Sequence, residues 1–595
     1  MNTLLDWIDQ RTGIRTAIGD WLHRPVAGGP SWRNVWPGAI ALVFIIQAIT
    51  GFVLWMYYSP GSQTAWESVY YVQHQVQGGW LLRAIHYYAA QSALVLVGIY
   101  LLQMIVRGTY RAPREFLFWT VLGIGLATLG MNLTGDLLSW DQNSYWATHV
   151  RTGFLFLLPG VGESLYKLAV GGAEFGHLTL TRFLALHVGV LTAVLAGLLG
   201  LHAWLARRYA QEEESAQRPS DAAYWPRQAV RDVAVCLVVM AAVLALSTRH
   251  GVSGTRAGVE LGAPADPNED PGTARPEWSF RGLFQFRELF PAKLEILPIF
   301  VLSGLTVLIF FAMPLWGKSG GGHAFNLAFT ALVVGGLAVL SWQSYAGDAK
   351  SEKFLAASAA GEHQAERAKQ LASAVGIPAG GALALLRDDP KTQGPRLFLQ
   401  HCASCHEHPD AVGDSPCQDP PSAPNLGRYA SRDWLRGFLD PKGIRSPKYF
   451  GNTKFKNKQM VGFVVETLSS NEKSETEQIV MALSAEAGLT SQREADEHDA
   501  AEIAKGRTVL SSECTDCHMF HGKGTSKGPE LSNYGSREWL VSIISNPAHK
   551  RFYGKANDRM PAYADPAVDP ANHTLSARDL GLLVDWLRGE WVEAN

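Results

Sequence analysis

Cysteine is scarce, with six among 595 residues, which is too few for a disulfide scaffold. Charge is scarce as well. Asp, Glu, Lys and Arg make up 18% of the chain, against roughly 25% in ordinary soluble proteins, so long apolar segments must lie somewhere. Neither sign is in excess. The 52 Lys and Arg balance 54 Asp and Glu at a net charge of −2, and the basic residues gather into no stripe, which excludes nucleic acid as the main partner. The length suggests about four domains at ~150 residues each, and 19 Trp is a heavy load that suits a membrane protein.

Charge-free runs near the ~20 residues that span ~30 Å of hydrocarbon occur at Asn34 to Trp66, Ala84 to Val106, Phe116 to Gly135 and Phe183 to Ala206. Three more follow at Val233 to Thr248, with a start near Ala229, then Ile296 to Gly317 and Ala324 to Gly347. Seven spans are therefore predicted. The first 34 residues hold Leu4, Leu5, Trp7, Ile8, Ile18, Trp21 and Leu22 in an amphipathic pattern, which predicts a segment lying on the membrane surface rather than a signal peptide. Arg11, Arg15, Arg24 and Arg33 precede span one, and Arg107, Arg111 and Arg114 follow span two, while Ser59 to Trp80 has no Lys or Arg. The N-terminus is thus expected in the cytoplasm, and the odd span count puts everything after Gly347 outside.

The expected divisions are an N-terminal segment at 1–34, a four-span part at 35–210, a three-span part at 211–347 and an outer helical spacer at 348–390. Two outer domains complete them, at 391–485 and 498–595, because Leu426 to Leu435 is echoed by Leu531 to Leu540. Each echo follows a Cys-x-x-Cys-His run, Cys402–His406 and Cys514–His518, where chance would give about 0.002 matches in a chain of this composition. Two thiols at this spacing can add to the vinyl groups of a haem while the adjacent imidazole ligates the iron. Zinc would want a second Cys pair within each domain, and neither has one. A thioether is a suitable sixth ligand, and Met460 and Met560 lie 54 and 42 residues after His406 and His518, in corresponding places of the repeat. Both resemble the axial-Met loop of class I cytochromes c, with each Met expected to serve the His of its own repeat. Cys417 receives no role.

Ionisable residues within spans are functional candidates by default. His86 opens span two; His187 and His202 share one face of span four, fifteen residues or ~22 Å apart. Spans two and four run the same way, so His86 and His187 lie at one outer depth, the arrangement that clamps a haem between two helices.

With these residues in view, the membrane half resembles cytochrome b of the quinol-oxidising cytochrome bc complexes, in the plastid and cyanobacterial version with its four-span and three-span parts fused. The runs that carry the likeness are Gly79 to His86, Ala112 to Glu115, Ser139 to Gln142, Thr179 to His187 and Pro276 to Ser279. The resemblance implies an all-α seven-span bundle followed by two small all-α cytochrome c domains. It implies that Arg83 and Arg182 pair with haem propionates, that Gly38 and Gly51 admit the porphyrins, and that Pro276, Glu277 and Trp278 line the quinol-oxidation site with Glu277 accepting a proton. Ser279 stands where the family usually has Tyr. A second, inner haem would want a His opposite His202, and that slot holds Tyr100.

The expected cofactors are two covalent haem c, one or two haem b, and quinone. The chain is expected in a bacterial inner membrane with its cytochrome c domains periplasmic, in a multi-subunit complex with dimerisation left open. A separate Rieske iron–sulfur subunit is expected, because no pair of Cys-x-His motifs occurs here, with a cytochrome or oxidase as electron acceptor. The competing reading is a quinone-linked membrane anchor and electron conduit of another dehydrogenase or reductase, without bifurcation.

Overall fold

The computed structural model describes residues 2–26, 28–214, 223–249, 258–269, 272–411, 421–470, 472–569 and 571–593; Cys417 lies outside them. Helices dominate, and the described strands are the short pair Met519–Phe520 and Lys523–Gly524. The chain divides into two compact units, residues 1–383 and 384–595.

Unit one contains all seven expected spans, as Trp32–Trp55, Gly79–Arg107, Glu115–Ser139, His177–Tyr209, Arg227–Ser247, Ala292–Trp316 and Gly320–Asp348. Span one ends at Trp55 rather than Trp66 because Ser59-Pro60-Gly61 breaks the helix. The residues beyond form a separate helix, Ala65–His74, tied down where Trp66 Nε1 donates to the Gly262 carbonyl at 2.8 Å and Gln73 Nε2 to that of Val259 at 2.9 Å. The N-terminal segment is two helices, Asn2–Thr12 and Ile14–His23, joined at Gly13 with φ 64°. Leu4, Trp7, Ile18 and Trp21 stay exposed there, as the apolar face of a helix lying on lipid would.

Span four carries a π-turn over Ala185–Leu191. A π-turn inserts one residue into an α-helix, so the fifteen-residue separation of His187 and His202 presents their side chains as a fourteen-residue α-helical spacing would. Fourteen is also the separation of His86 and Tyr100 on span two.

The expected spacer at 348–390 is not a separate element. Its helix Glu352–Val375 belongs to unit one and buries Ala365, Ala368, Leu371 and Ala372. Tyr70 Oη donates to the Lys369 carbonyl at 3.4 Å, and the Asp348 carboxylate is held by Arg275 at 3.0 Å and by Arg281. The alternation of Ala and Leu with charge along this segment is an amphipathic stripe that needs a partner surface, which the reading of a bare spacer overlooked.

Unit two corrects the two outer domains. The cores do not follow the repeat boundaries at 391–485 and 498–595. One core joins Phe398, Ala403 and Cys402 to Trp539, Leu583 and Trp586; the other joins Trp434, Val464 and Leu483 to Leu510, Phe520 and Cys514. The helix Pro390–His401 thus packs on Ala577–Leu587, and Ala500–Val509 packs on Lys473–Ala487. The latter two helices are joined through the short helix Arg493–His498.

Candidate haem and quinol sites

Three membrane imidazoles share one local device. Thr50 spends its hydroxyl proton on the Ile46 carbonyl at 2.6 Å, so its 2.9 Å contact with His86 is a hydrogen bond donated by Nδ1 of the imidazole. Thr134 does the same, donating to Gly130 at 2.8 Å and accepting from His187 at 3.0 Å; Thr120 donates to Leu117 at 2.7 Å and accepts from His202 at 2.9 Å. A fixed Nδ1–H leaves the Nε2 lone pair free as a metal ligand. None of these threonines was singled out in the sequence, although the recurring Thr-Gly pairs Thr50-Gly51 and Thr134-Gly135 were a usable signal.

At the outer pair the residues fit a haem. Two imidazoles on one iron, each at ~2 Å, hold their ring centroids ~6.3 Å apart, and His86 and His187 are 6.5 Å apart. A Cβ at Gly51 would sit 3.0 Å from His86 Cε1, and one at Gly135 would sit 2.8 Å from His187 Cε1. Both glycines therefore keep a side chain off the imidazole face. Gly135 was missed in the sequence. Gly38, expected beside a porphyrin, instead faces the Asp232 carboxylate of span five, 3.7 Å from where its Cβ would be. Arg83 donates to Gln73 and to the Val259 carbonyl, and Arg182 to the carbonyls of Lys167, at 3.2 Å, and Leu168; both sit near the N-terminal ends of the two histidine-bearing spans.

At the inner pair the residues do not fit. Tyr100 Oη and His202 Nε2 are 3.5 Å apart in direct contact, closer than the ~4 Å at which two ligands on opposite faces of one haem iron stand. His202 is buried at 9% exposure, whereas His86 and His187 are only half-buried. The residue after Thr120 is Val121 where the other two threonines are followed by glycine, and fourteen residues before Gly51 stands Pro37. Val121 packs with Phe118, Leu122 and Ile105 in the bundle core. Tyr100 was legible in the sequence as a missing ligand; its 3.5 Å contact with His202 Nε2 was not.

Glu277 immediately precedes the helix Trp278–Glu288, and its side chain caps nothing. Its Oε2 is buried without a hydrogen-bond partner, and so is Ser279 Oγ. Burial, reinforced by the Asp136 carboxylate, pushes the Glu277 carboxyl up to about 7 against the opposing pull of Arg151. Arg151 itself pairs with Asp136 at 2.8 Å and leaves its other terminal nitrogen unpartnered. Pro276 is buried, and Trp278 Nε1 donates to Gln91 of span two at 2.7 Å, which fixes the segment against the bundle.

In unit two both Cys-x-x-Cys-His runs are built alike. His406 Nδ1 donates to the Pro424 carbonyl and His518 Nδ1 to that of Pro529, each at 2.6 Å, and burial holds both imidazoles below the usual histidine range. Neutral rings with Nε2 free suit an iron ligand. Burial pushes the Cys402 and Cys514 thiols up to about 12. A Cβ at Gly528 would meet His518 Cε1 at 2.6 Å, another close approach that only glycine allows. Cys405 and Cys517 complete the pairs at the turns that follow. Met460 borders the core that contains Cys514, and Met560 the core that contains Cys402.

A paired-imidazole site inside a seven-span bundle, joined to two covalent-haem motifs, defines a membrane-bound haem protein of electron transport. Comparison with known proteins gives the family. Residues 92–255 match the family described as cytochrome b(N-terminal)/b6/petB, and residues 503–591 match cytochrome c. Cytochrome b6 of Synechococcus sp. (strain JA-3-3Ab) is 35% identical over 211 residues, covering 35% of this chain and 97% of that protein. Cytochrome b of Rhodobacter capsulatus is 29% identical over 318 residues, covering 50% of this chain and 70% of the other. A solved structure titled as a hyperthermophilic respiratory complex III matches with a TM-score of 0.43 at 22% identity, over 57% of this chain and 100% of that one. The chain belongs to the cytochrome b/b6 family and carries a C-terminal cytochrome c domain.

Proposed function

We propose that this chain is the fused cytochrome b/c subunit of a bc-type complex that oxidises quinol at Glu277. It would reside in a bacterial inner membrane with its N-terminus cytoplasmic and unit two periplasmic. The observation that carries the reading is the unpartnered, buried carboxyl oxygen of Glu277, held by its surroundings near neutrality, where a general base works best.

Converting a quinol to a quinone releases two protons and two electrons. The haems, when bound, supply one-electron acceptors: a Rieske-type iron–sulfur subunit, with no counterpart in this sequence, would take the first electron and the haem held by His86 and His187 the second, with the proton that Glu277 does not take released to the periplasmic side. Glu277 would accept one hydroxyl proton at Oε2, with the Arg151–Asp136 pair beside it setting its charge. Pro276 and the Trp278–Gln91 hydrogen bond hold that carboxylate in place. Arg83 and Arg182 would face the propionates of the haem between His86 and His187, with guanidinium forks suited to carboxylates. Electrons would leave by His406 and His518 to a cytochrome or oxidase. No step runs through the inner slot, because its residues do not fit a haem.

That misfit favours the competing reading in one respect, since a conduit without bifurcation needs no inner haem. Copurification of a Rieske protein separates the two. The pH dependence tests the base directly. Glu277 must be ionised to accept a proton, and its carboxyl is raised to about 7, so quinol oxidation should climb as pH rises through 7, from 6 to about 8, and level off above. A rate that stays flat across this window would remove Glu277 from the role.

A further inference from the structure

We infer that each haem c centre of unit two is assembled from both sequence repeats, with Met560 serving the iron bound by His406 and Met460 the iron bound by His518. The inference rests on packing and is independent of the quinol reading.

The first motif is enclosed by the second repeat. Tyr563 Oη donates to the His401 carbonyl at 2.6 Å, and Thr574 Oγ1 lies 3.2 Å from His401 Nδ1, one residue before Cys402. The Phe398 ring is 5.5 Å from Trp586, and His408 is 4.1 Å from the same indole. A Cβ at Gly394 would strike the Trp586 side chain at 2.2 Å, so the two helices touch where only glycine fits. Met560, three residues before Tyr563, lies in that same core with Cys402.

The second motif is enclosed by the first repeat in the same way. Glu486, at the end of Lys473–Ala487, pairs with Arg507 at 3.1 Å and accepts from the Asn533 backbone at 2.9 Å. Gln478 donates to Glu502 at 2.8 Å, and a Cβ at Gly506 would lie 2.0 Å from the Gln478 carbonyl oxygen. Met460 shares its core with Cys514.

The crossover point is visible. In the echoed segments the chain turns through left-handed conformations, Arg428 at φ 57° and Ala430 at 61° in one copy, Asn533 at 53° and Gly535 at 72° in the other. The two passes meet there. A Cβ at Gly535 would sit 2.5 Å from that of Ala430, and the Tyr429 and Tyr534 rings lie 5.7 Å apart. Exchange of identical elements costs little because each repeat offers nearly the same contacts as the other. A methionine that reaches an iron across this exchange belongs to the opposite repeat, which linear spacing could not reveal.

The test isolates one covalent haem at a time in the full chain. With Cys514→Ser and Cys517→Ser leaving only the His406 haem, Met560→Ala should abolish the ferric methionine-to-iron charge-transfer band, while Met460→Ala should leave it. With Cys402→Ser and Cys405→Ser the two outcomes should interchange. Loss of the band with Met460→Ala at the His406 haem, and its retention with Met560→Ala, would overturn the assignment. A second measurement needs no variant. Lys391 and Glu593 lie 3.8 Å apart, so a zero-length carbodiimide should join them, in a sample where the local pair Lys505–Glu502, at 2.6 Å, also reacts. Absence of the Lys391–Glu593 link when the local link forms would overturn the exchange.

Discussion

Glu277→Gln is expected to slow quinol oxidation by about 100-fold, ~2.7 kcal/mol in the barrier, while every haem remains bound. The amide keeps the shape and much of the polarity of the carboxylate but cannot accept a proton at neutral pH. Glu277 holds no structural hydrogen bond at Oε2 and caps no helix, so the substitution removes nothing that the fold uses. The effect should therefore appear in turnover and not in haem content or thermal stability. Steady-state reduction of cytochrome c by quinol, with haem content measured alongside, checks both halves. An unchanged rate would reject the proton-acceptor role, and loss of haem would mean the residue is structural.

The second large effect concerns haem stoichiometry. A pyridine haemochrome assay on the purified chain should give one haem b to two haem c. His187→Leu should bring haem b to zero, because His86 alone cannot clamp it, and Gly135→Val should do the same by placing a branched side chain where a Cβ already comes within 2.8 Å of the imidazole. His202→Leu should leave the ratio unchanged. A ratio of two to two in the unmodified chain would show that Tyr100 and His202 move apart to admit a porphyrin. The consequence of one to two is mechanistic: without the inner haem no chain of cofactors leads from the outer haem to the far side of the membrane.

Much of this was legible in the sequence because it rests on local rules. Hydropathy located seven spans, since in lipid every apolar run of sufficient length must be a helix. The Cys402–His406 and Cys514–His518 runs stand out by their spacing alone, and the closeness of His86 and His187, 6.5 Å between rings, follows from two spans of the same direction. The misreadings have a common physical origin. Span one was overextended because Trp66 and its neighbours are apolar although Pro60 and Gly61 end the helix before them. Gly38 was assigned by family position, whereas the face it presents is set by the pitch of span one and meets Asp232. The exchange in unit two left no linear trace. Both repeats carry equivalent residues, so hydrophobic pattern and motif order are the same whether Met560 closes over its own histidine or the other repeat's.

The central claim is that quinol electrons enter this chain beside Glu277 and reach both the membrane haem and the outer haems. Rapid anaerobic mixing of quinol with the oxidised, purified complex, following b-type and c-type absorption separately, tests it most directly. The account predicts that b and c haems are reduced together in the first turnover, and that Glu277→Gln slows both by the same factor. Reduction of both haem types at an unaltered rate in Glu277→Gln would contradict it.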